Sequence, residues 1–136
     1  MIGFWDDAEI IHTYSREQAL EDGVLVDVSE MAREAGFTVP VAVTRAVWRL
    51  IEPTEQERTV YLQDESGRLW DVLWMASLAA RRTHETDTNT RRGFYVWFHL
   101  RGRGARNEHR TERLDIHSGP GDDGEHVITI LLPHED

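Results

Sequence analysis

The residues of this chain that could do chemistry gather near its end, in DIHSGPGDDGEHVITILLPHED (115–136). Two ligand-binding readings present themselves. A calcium loop needs about five or more oxygen ligands at alternating positions and a terminal bidentate glutamate. The run GPGDDG (119–124) offers only the adjacent Asp122 and Asp123, followed by Glu125. A phosphate loop would present backbone amides and a lysine rather than acids. Each residue of the run is instead a turn former with its own backbone reason, and Asp-Gly between two apolar runs signals a β-hairpin. The loop therefore reads as a hairpin turn, with Asp122 and Asp123 at a tip where a partner could be met.

The histidines on either side raise a second possibility. If Ser118 pairs with Glu125, His117 lies opposite His126, and cross-strand Cβ atoms are about 4.5–5.5 Å apart. Asp115 then lies two residues along on the same face, and His99 could join from the preceding strand. His99, Asp115, His117 and His126 would be a metal site of the zinc type. A one-residue slip in register would undo it. The plain alternative is that these are ordinary residues on the polar face of a sheet. HETDT (84–88), with His84, Glu85 and Asp87, reads as a solvated linker. No Gly-x-Ser-x-Gly elbow, Walker loop or His-Glu-x-x-His occurs. The residue types imply no cofactor.

The elements that must position these residues can be read from pattern. Ser15 caps a helix through REQALEDG, Gln18 completes a capping box and Gly23 stops the helix. Val24–Val28 is a brief extended piece, and Ser29 caps a second helix ending at Gly36. VPVAVTRAVWRLI (39–51) predicts a helix with Pro40 in its first turn. Val43, Ala46, Val47, Leu50 and Ile51 form its apolar stripe, against a β-branched content that argues for strand. TVYLQDESG (59–67) fits a short strand with a turn. RLWDVLWMASLAARR (68–82) is apolar around most of its girth and predicts a central core helix, with Trp48, Trp70 and Trp74 filling the core. Three strands close the chain: 94–101, 113–118 and 126–133. Phe94, Val96, Phe98 and Leu100 face inward on the first, with Tyr95 and Trp97 outward. The third is apolar on both faces, as a central strand is. The expected architecture is α+β, with several helices packed on a three-stranded antiparallel β-meander at the C-terminal end, and residues 1–136 forming one domain.

Composition bounds the function classes. The 136 residues include no cysteine, so neither a disulfide framework nor a thiolate metal site is available. No apolar run is long enough to span a membrane, and the first residues lack the pattern of a signal peptide, so a cytoplasmic location is expected. The formal net charge is −10, and all 15 basic residues are arginine. Residues 1–66 hold 14 acids against 5 arginines, whereas 81–113 hold 9 arginines against 4 acids. A net negative chain repels nucleic acid at long range but suits a basic protein surface.

YSREQALEDGVLVDVSEMAREAGF, PVAVTRAVW, GRLWDVLWMASLAARR and GPGDDGEHVITILLPHED together resemble a family of small uncharacterised bacterial proteins encoded on plasmids, phages and other mobile elements. The resemblance spans nearly the whole chain. It carries no activity and no site residue; what it implies is an accessory role on mobile DNA, where many small acidic proteins counter host defence.

The expectation is thus a non-enzymatic acidic binding protein of a mobile element. It would inhibit a host defence complex, CRISPR or restriction, by occupying a basic surface. Asp6, Asp7, Glu9, Glu21, Asp22, Asp122 and Asp123 are the candidate partner-binding residues. The alternative is a small metal-dependent enzyme using the histidine set, or a nucleic-acid-binding regulator using the arginines of 101–113. Direct nucleic-acid binding is the lesser expectation. The oligomeric state is left open.

Overall fold

The last strand organises the molecule. His126–Leu131 (β5) is apolar on both faces, and four of its six residues are buried. Such a strand is stable only where it is paired on both edges and covered on both faces. The computed structural model, which describes residues 14–55, 59, 65–82, 90–100 and 108–136 (without the side chains of 99, 100, 108 and 109), places it at the centre of a five-stranded sheet. The chain order is α1 (Arg16–Glu21), β1 (Leu25–Asp27), α2 (Ser29–Glu34), β2 (Val41–Thr44), α3 (Arg45–Ile51), α4 (Glu65–Ala80), β3 (Thr90–Leu100), β4 (Glu108–Pro120) and β5. The strand order is β1-β2-β5-β4-β3. Three neighbouring pairs are antiparallel; β2 and β5 run parallel, with Val41 beside Ile128 and Val43 beside Ile130.

This corrects the expected three-stranded antiparallel meander: the sheet is mixed and has five strands, within an α+β architecture. The two unforeseen strands lie in the N-terminal half. Val41–Thr44 was expected to be the first turn of a helix, but Val41, Ala42, Val43 and Thr44 are all buried in β2. Stiff β-branched side chains fit a pleated surface better than a helix. The helix begins only at Arg45, where the Thr44 hydroxyl accepts the Val47 N–H. The extended piece 24–28 becomes β1, paired along β2.

One face of the sheet carries the main core. Val41, Val43, Phe94, Val96, Phe98, Leu114, Ile116, Ile128 and Ile130 pack with Leu69, Val72, Leu73 and Ala76 of α4 and with Val28, Ala32 and Phe37 around α2. The expected inward stripe of β3 is therefore present at Phe94, Val96 and Phe98, and the side chain of Leu100 lies outside the described residues. The expectation that Trp70 and Trp74 of α4 fill the core is corrected. The helix buries one face, while Trp70 and Trp74, 36% and 41% exposed, stack on each other with centroids 6.0 Å apart. Trp48 is half-buried. The core face also takes two cations that pattern reading missed: the guanidinium groups of Arg68 and Arg110 each lie 5.3 Å from the Phe98 ring centroid.

Ile130, fully buried in the central strand, is the most direct probe of this arrangement. Ile130→Ala should lower the unfolding free energy by about 2–5 kcal/mol, and Ile130→Val by about 0.5–1.5 kcal/mol. Urea denaturation followed by circular dichroism measures both.

Candidate functional site

The closing hairpin is built first from its turn. Gly121 N–H donates to the Glu125 carbonyl at 2.6 Å, and Gly124 N–H to the Gly121 carbonyl at 3.1 Å. A Cβ at Gly121 would stand 1.8 Å from the Glu125 carboxylate, and Gly124 has φ of 81°. The positive φ favours glycine at Gly124, whereas a side chain at Gly121 would require Glu125 to swing aside. The turn sets a register in which Pro120 pairs with His126 and His117 with Thr129. This corrects the expected pairing of Ser118 with Glu125. The difference is three residues, and an odd slip changes the face. His117 and His126 therefore lie on opposite faces of the sheet.

The expected metal set is not brought together. His126 meets the Ser118 hydroxyl on its own face. Asp115 is buried and bound to Arg91, whose Nε donates to Asp115 Oδ2 at 2.6 Å. His117 is half-buried; burial pushes its pKa down, and the guanidinium groups of Arg91 and Arg16 push it further the same way. Two cations beside an imidazole oppose a third. The backbone of His99 pairs with His109 in β3; its side chain lies outside the described residues. Among the described residues no group of three or more histidines and acids is placed to hold a metal ion. The segment 84–88 also lies outside them.

The acids at the tip have a different task. Asp122 Oδ1 accepts the N–H of Arg16 at 2.7 Å, and Oδ2 accepts that of Glu17 at 3.0 Å. These are the first two amides of α1, which have no partner within the helix. The third, from Gln18, goes to the Ser15 hydroxyl at 2.9 Å, as the capping pattern predicts. Asp122 is thus a cap supplied from more than a hundred residues away. Arg16 returns the contact: its guanidinium donates to Thr129 Oγ1 and to the Ile128 carbonyl, both at 2.7 Å. This anchors α1 on the sheet face opposite the main core. Asp22 is also engaged, accepting from Tyr14 and from Gln18, and those two bonds hold its carboxyl below the usual range. Glu21 and Asp123 are exposed. Asp6, Asp7 and Glu9 lie outside the described residues.

Two grooves open elsewhere on the described surface. One, of about 290 Å³, is lined by Val28, Met31, Trp48 and Leu69, with Asp27, Glu30 and Glu34 around them. Glu30 and Glu34 are one turn apart on α2 and exposed. The helical spacing of these acids was visible in the sequence; their meeting with Trp48 was not. The other groove, of about 330 Å³, lies where α4 meets the outer strand β3, lined by Asp71, Trp74, Met75, Tyr95, Val96 and Trp97.

A model of the family of unknown function DUF6573 matches residues 1–136. The chain belongs to this family. No curated protein and no solved structure matches it. The uncharacterised family expected from the resemblance is therefore found, and as a DUF6573 member the chain inherits no assigned activity. Among the described residues no helix is long and apolar enough to cross a membrane.

The Asp122 cap has a pH signature. The two backbone hydrogen bonds lower its pKa in the folded state, so its stabilisation is present above the unfolded aspartate value of about 3.9 and fades as pH falls through the lower folded value. Asp122→Ala should lower the thermal midpoint at pH 7, and Asp122→Asn, which keeps one acceptor, should lower it less. The gap between wild type and Asp122→Ala should shrink as scanning-calorimetry samples are taken from pH 5 to pH 2.

Proposed function

We propose that this protein acts by binding, and that the groove between α2, α3 and α4 receives an arginine- or lysine-rich segment of a partner protein. The single observation that carries this reading is the meeting of an apolar floor with an acidic rim. Val28, Met31, Trp48 and Leu69 form the floor, and Asp27, Glu30 and Glu34 stand around it. Long basic side chains have the matching form, an apolar stem ending in a cation. The Trp48 ring offers a further attraction for that cation, and its Nε1 is tied to Glu52 Oε1 at 2.7 Å, which fixes its orientation. The chain's net charge of −10 would steer a basic partner toward it.

The residues supporting this reading differ from those expected. Asp22 and Asp122 hold the chain's own backbone and side chains, so reversing them would disturb the fold before it touched a partner. Glu30 and Glu34 take their place, with Asp27, whose Oδ1 accepts from the Ser29 N–H and hydroxyl, beside them. The mobile-element setting that the resemblance implies makes a defence nuclease complex, with its basic nucleic-acid channel, the first partner to test.

The test is charge reversal on α2. The wild-type chain, immobilised and exposed to purified CRISPR and restriction complexes, should retain one of them less well as chloride rises. Glu30→Lys/Glu34→Lys should abolish that retention while leaving the circular dichroism spectrum unchanged. Equal retention by the double variant, or retention of none of the complexes by the wild type, would sink the reading.

A further inference from the structure

The second groove belongs to a different surface. Across β3 and β4, Arg91 and Arg113 share the face away from the main core, Arg91 bound to Asp115 and Arg113 beside Tyr95, in a chain whose net charge is −10. β3 is an edge strand of the described sheet, at the end opposite β1. On the face away from the main core it carries Tyr95 and Trp97, each 57% exposed. Large aromatic rings left in water are costly, and a cluster of them marks a binding surface.

The geometry is that of a stacking platform. Tyr95 and Trp97 are two residues apart on one face, which sets them about 6.6 Å apart along the strand. Arg113 pairs with Tyr95 and Thr111 with Trp97 across the ribbon. Gly93 leaves the next position on that face without a side chain, and the Arg113 guanidinium lies over it, 2.9 Å from where a Cβ would stand. Around the strand edge Trp74 joins Tyr95 and Trp97 in lining the groove, with the Arg81 guanidinium 6.0 Å from its ring centroid.

We infer that this face of the β3–β4 ribbon binds single-stranded nucleic acid, with bases stacked on Tyr95 and Trp97 and phosphates held by Arg113. Exposed aromatic rings interleaved with arginines on an antiparallel sheet are what unpaired bases and their phosphates require. A duplex keeps its bases stacked on one another and offers the rings no face. A second copy of the chain would set the face that bears Arg113 against itself, and like charges oppose that pairing. Asp71 also lines the groove, which assigns the phosphates to the Arg113 side. The inference rests on residues separate from those around the acidic groove of α2.

Fluorescence anisotropy on the full chain tests it, with labelled twelve-nucleotide oligo(dT), oligo(U) and a blunt DNA duplex as probes. One or both single strands should bind in low salt, more tightly than the duplex. Tyr95→Ala and Trp97→Ala should each weaken binding by about tenfold or more, with the thermal midpoint unchanged. Arg113→Gln should reduce the slope of log K against log salt by about 0.7. Glu30→Lys/Glu34→Lys should not abolish single-strand binding, which separates this inference from the proposed protein-binding role. Absence of wild-type binding, equal binding of duplex and single strand, or unchanged affinity in both aromatic variants would overturn it. So would a concentration-dependent dimer lost in Trp97→Ala, which would assign the surface to self-association.

Discussion

The structure depends on the insertion of β5 between β2 and β4. Forming the parallel β2–β5 pair brings together residues more than eighty positions apart, and neither half of the sheet is complete without it. The cost is the closure of a long loop, which grows only slowly with length. The return is burial of Val127, Ile128, Ile130 and Leu131 in a strand covered on both faces. The same strand orders the start of the described chain. Its Ile128 carbonyl and Thr129 hydroxyl receive the Arg16 guanidinium, and Asp122, in the turn that leads into it, caps α1. The two ends of the described chain are thereby locked to one strand.

That arrangement explains which parts of the fold were legible. A strand with a polar face announces itself by alternation, and Phe94, Val96, Phe98, Leu114 and Ile116 did so. The caps at Ser15 and the stop at Gly23, where φ is 73°, were equally local. The segment 41–44 was not legible because it is buried on both faces, so no alternation distinguishes it from the helix that follows. Val43 and Val47 fit a helical stripe by spacing, yet one lies in β2 and the other in α3. Only the later arrival of β5 gives Val41 and Val43 a partner strand, and no local window contains that information.

The site was less legible, for a related reason. Placing His117 against His126 required the register of a hairpin whose turn has several ways to close. Gly121 and Gly124 close it so that the strands pair from Pro120 and His126 inward, and the two imidazoles part to opposite faces. Likewise Asp122 had the appearance of a free acid because its partners, the amides of Arg16 and Glu17, are remote in sequence. Acidity at a loop tip is ambiguous between contact with a partner and satisfaction of a helix end within the same chain. The hydrogen bonds decide for the second. Nothing in the composition separated Glu30 and Glu34, whose helix places them beside an apolar groove, from Glu17 and Glu21.

Helix α4 connects the two proposed surfaces physically. Leu69 lines the acidic groove, while Asp71, Trp74 and Met75 line the aromatic one. Five residues separate Leu69 from Trp74, a rotation of about 140° at 3.6 residues per turn, so the helix presents different sides to the two. Its buried stripe, Leu69, Val72, Leu73 and Ala76, fixes its rotation on the sheet. Once that rotation is set, Trp70 and Trp74 must stand at the solvent side. A folding requirement alone would favour polar residues there, since burying or removing an exposed ring lowers the cost of its hydration. The stack between Trp70 and Trp74 recovers part of that cost. The remainder is what binding could recover, and Trp74 brings it to the groove shared with Tyr95 and Trp97 of β3. The acids of α2 stand beside the other groove. Glu30 and Glu34 on one side and Tyr95 and Trp97 on the other are thereby held apart, with one helix as the wall between them.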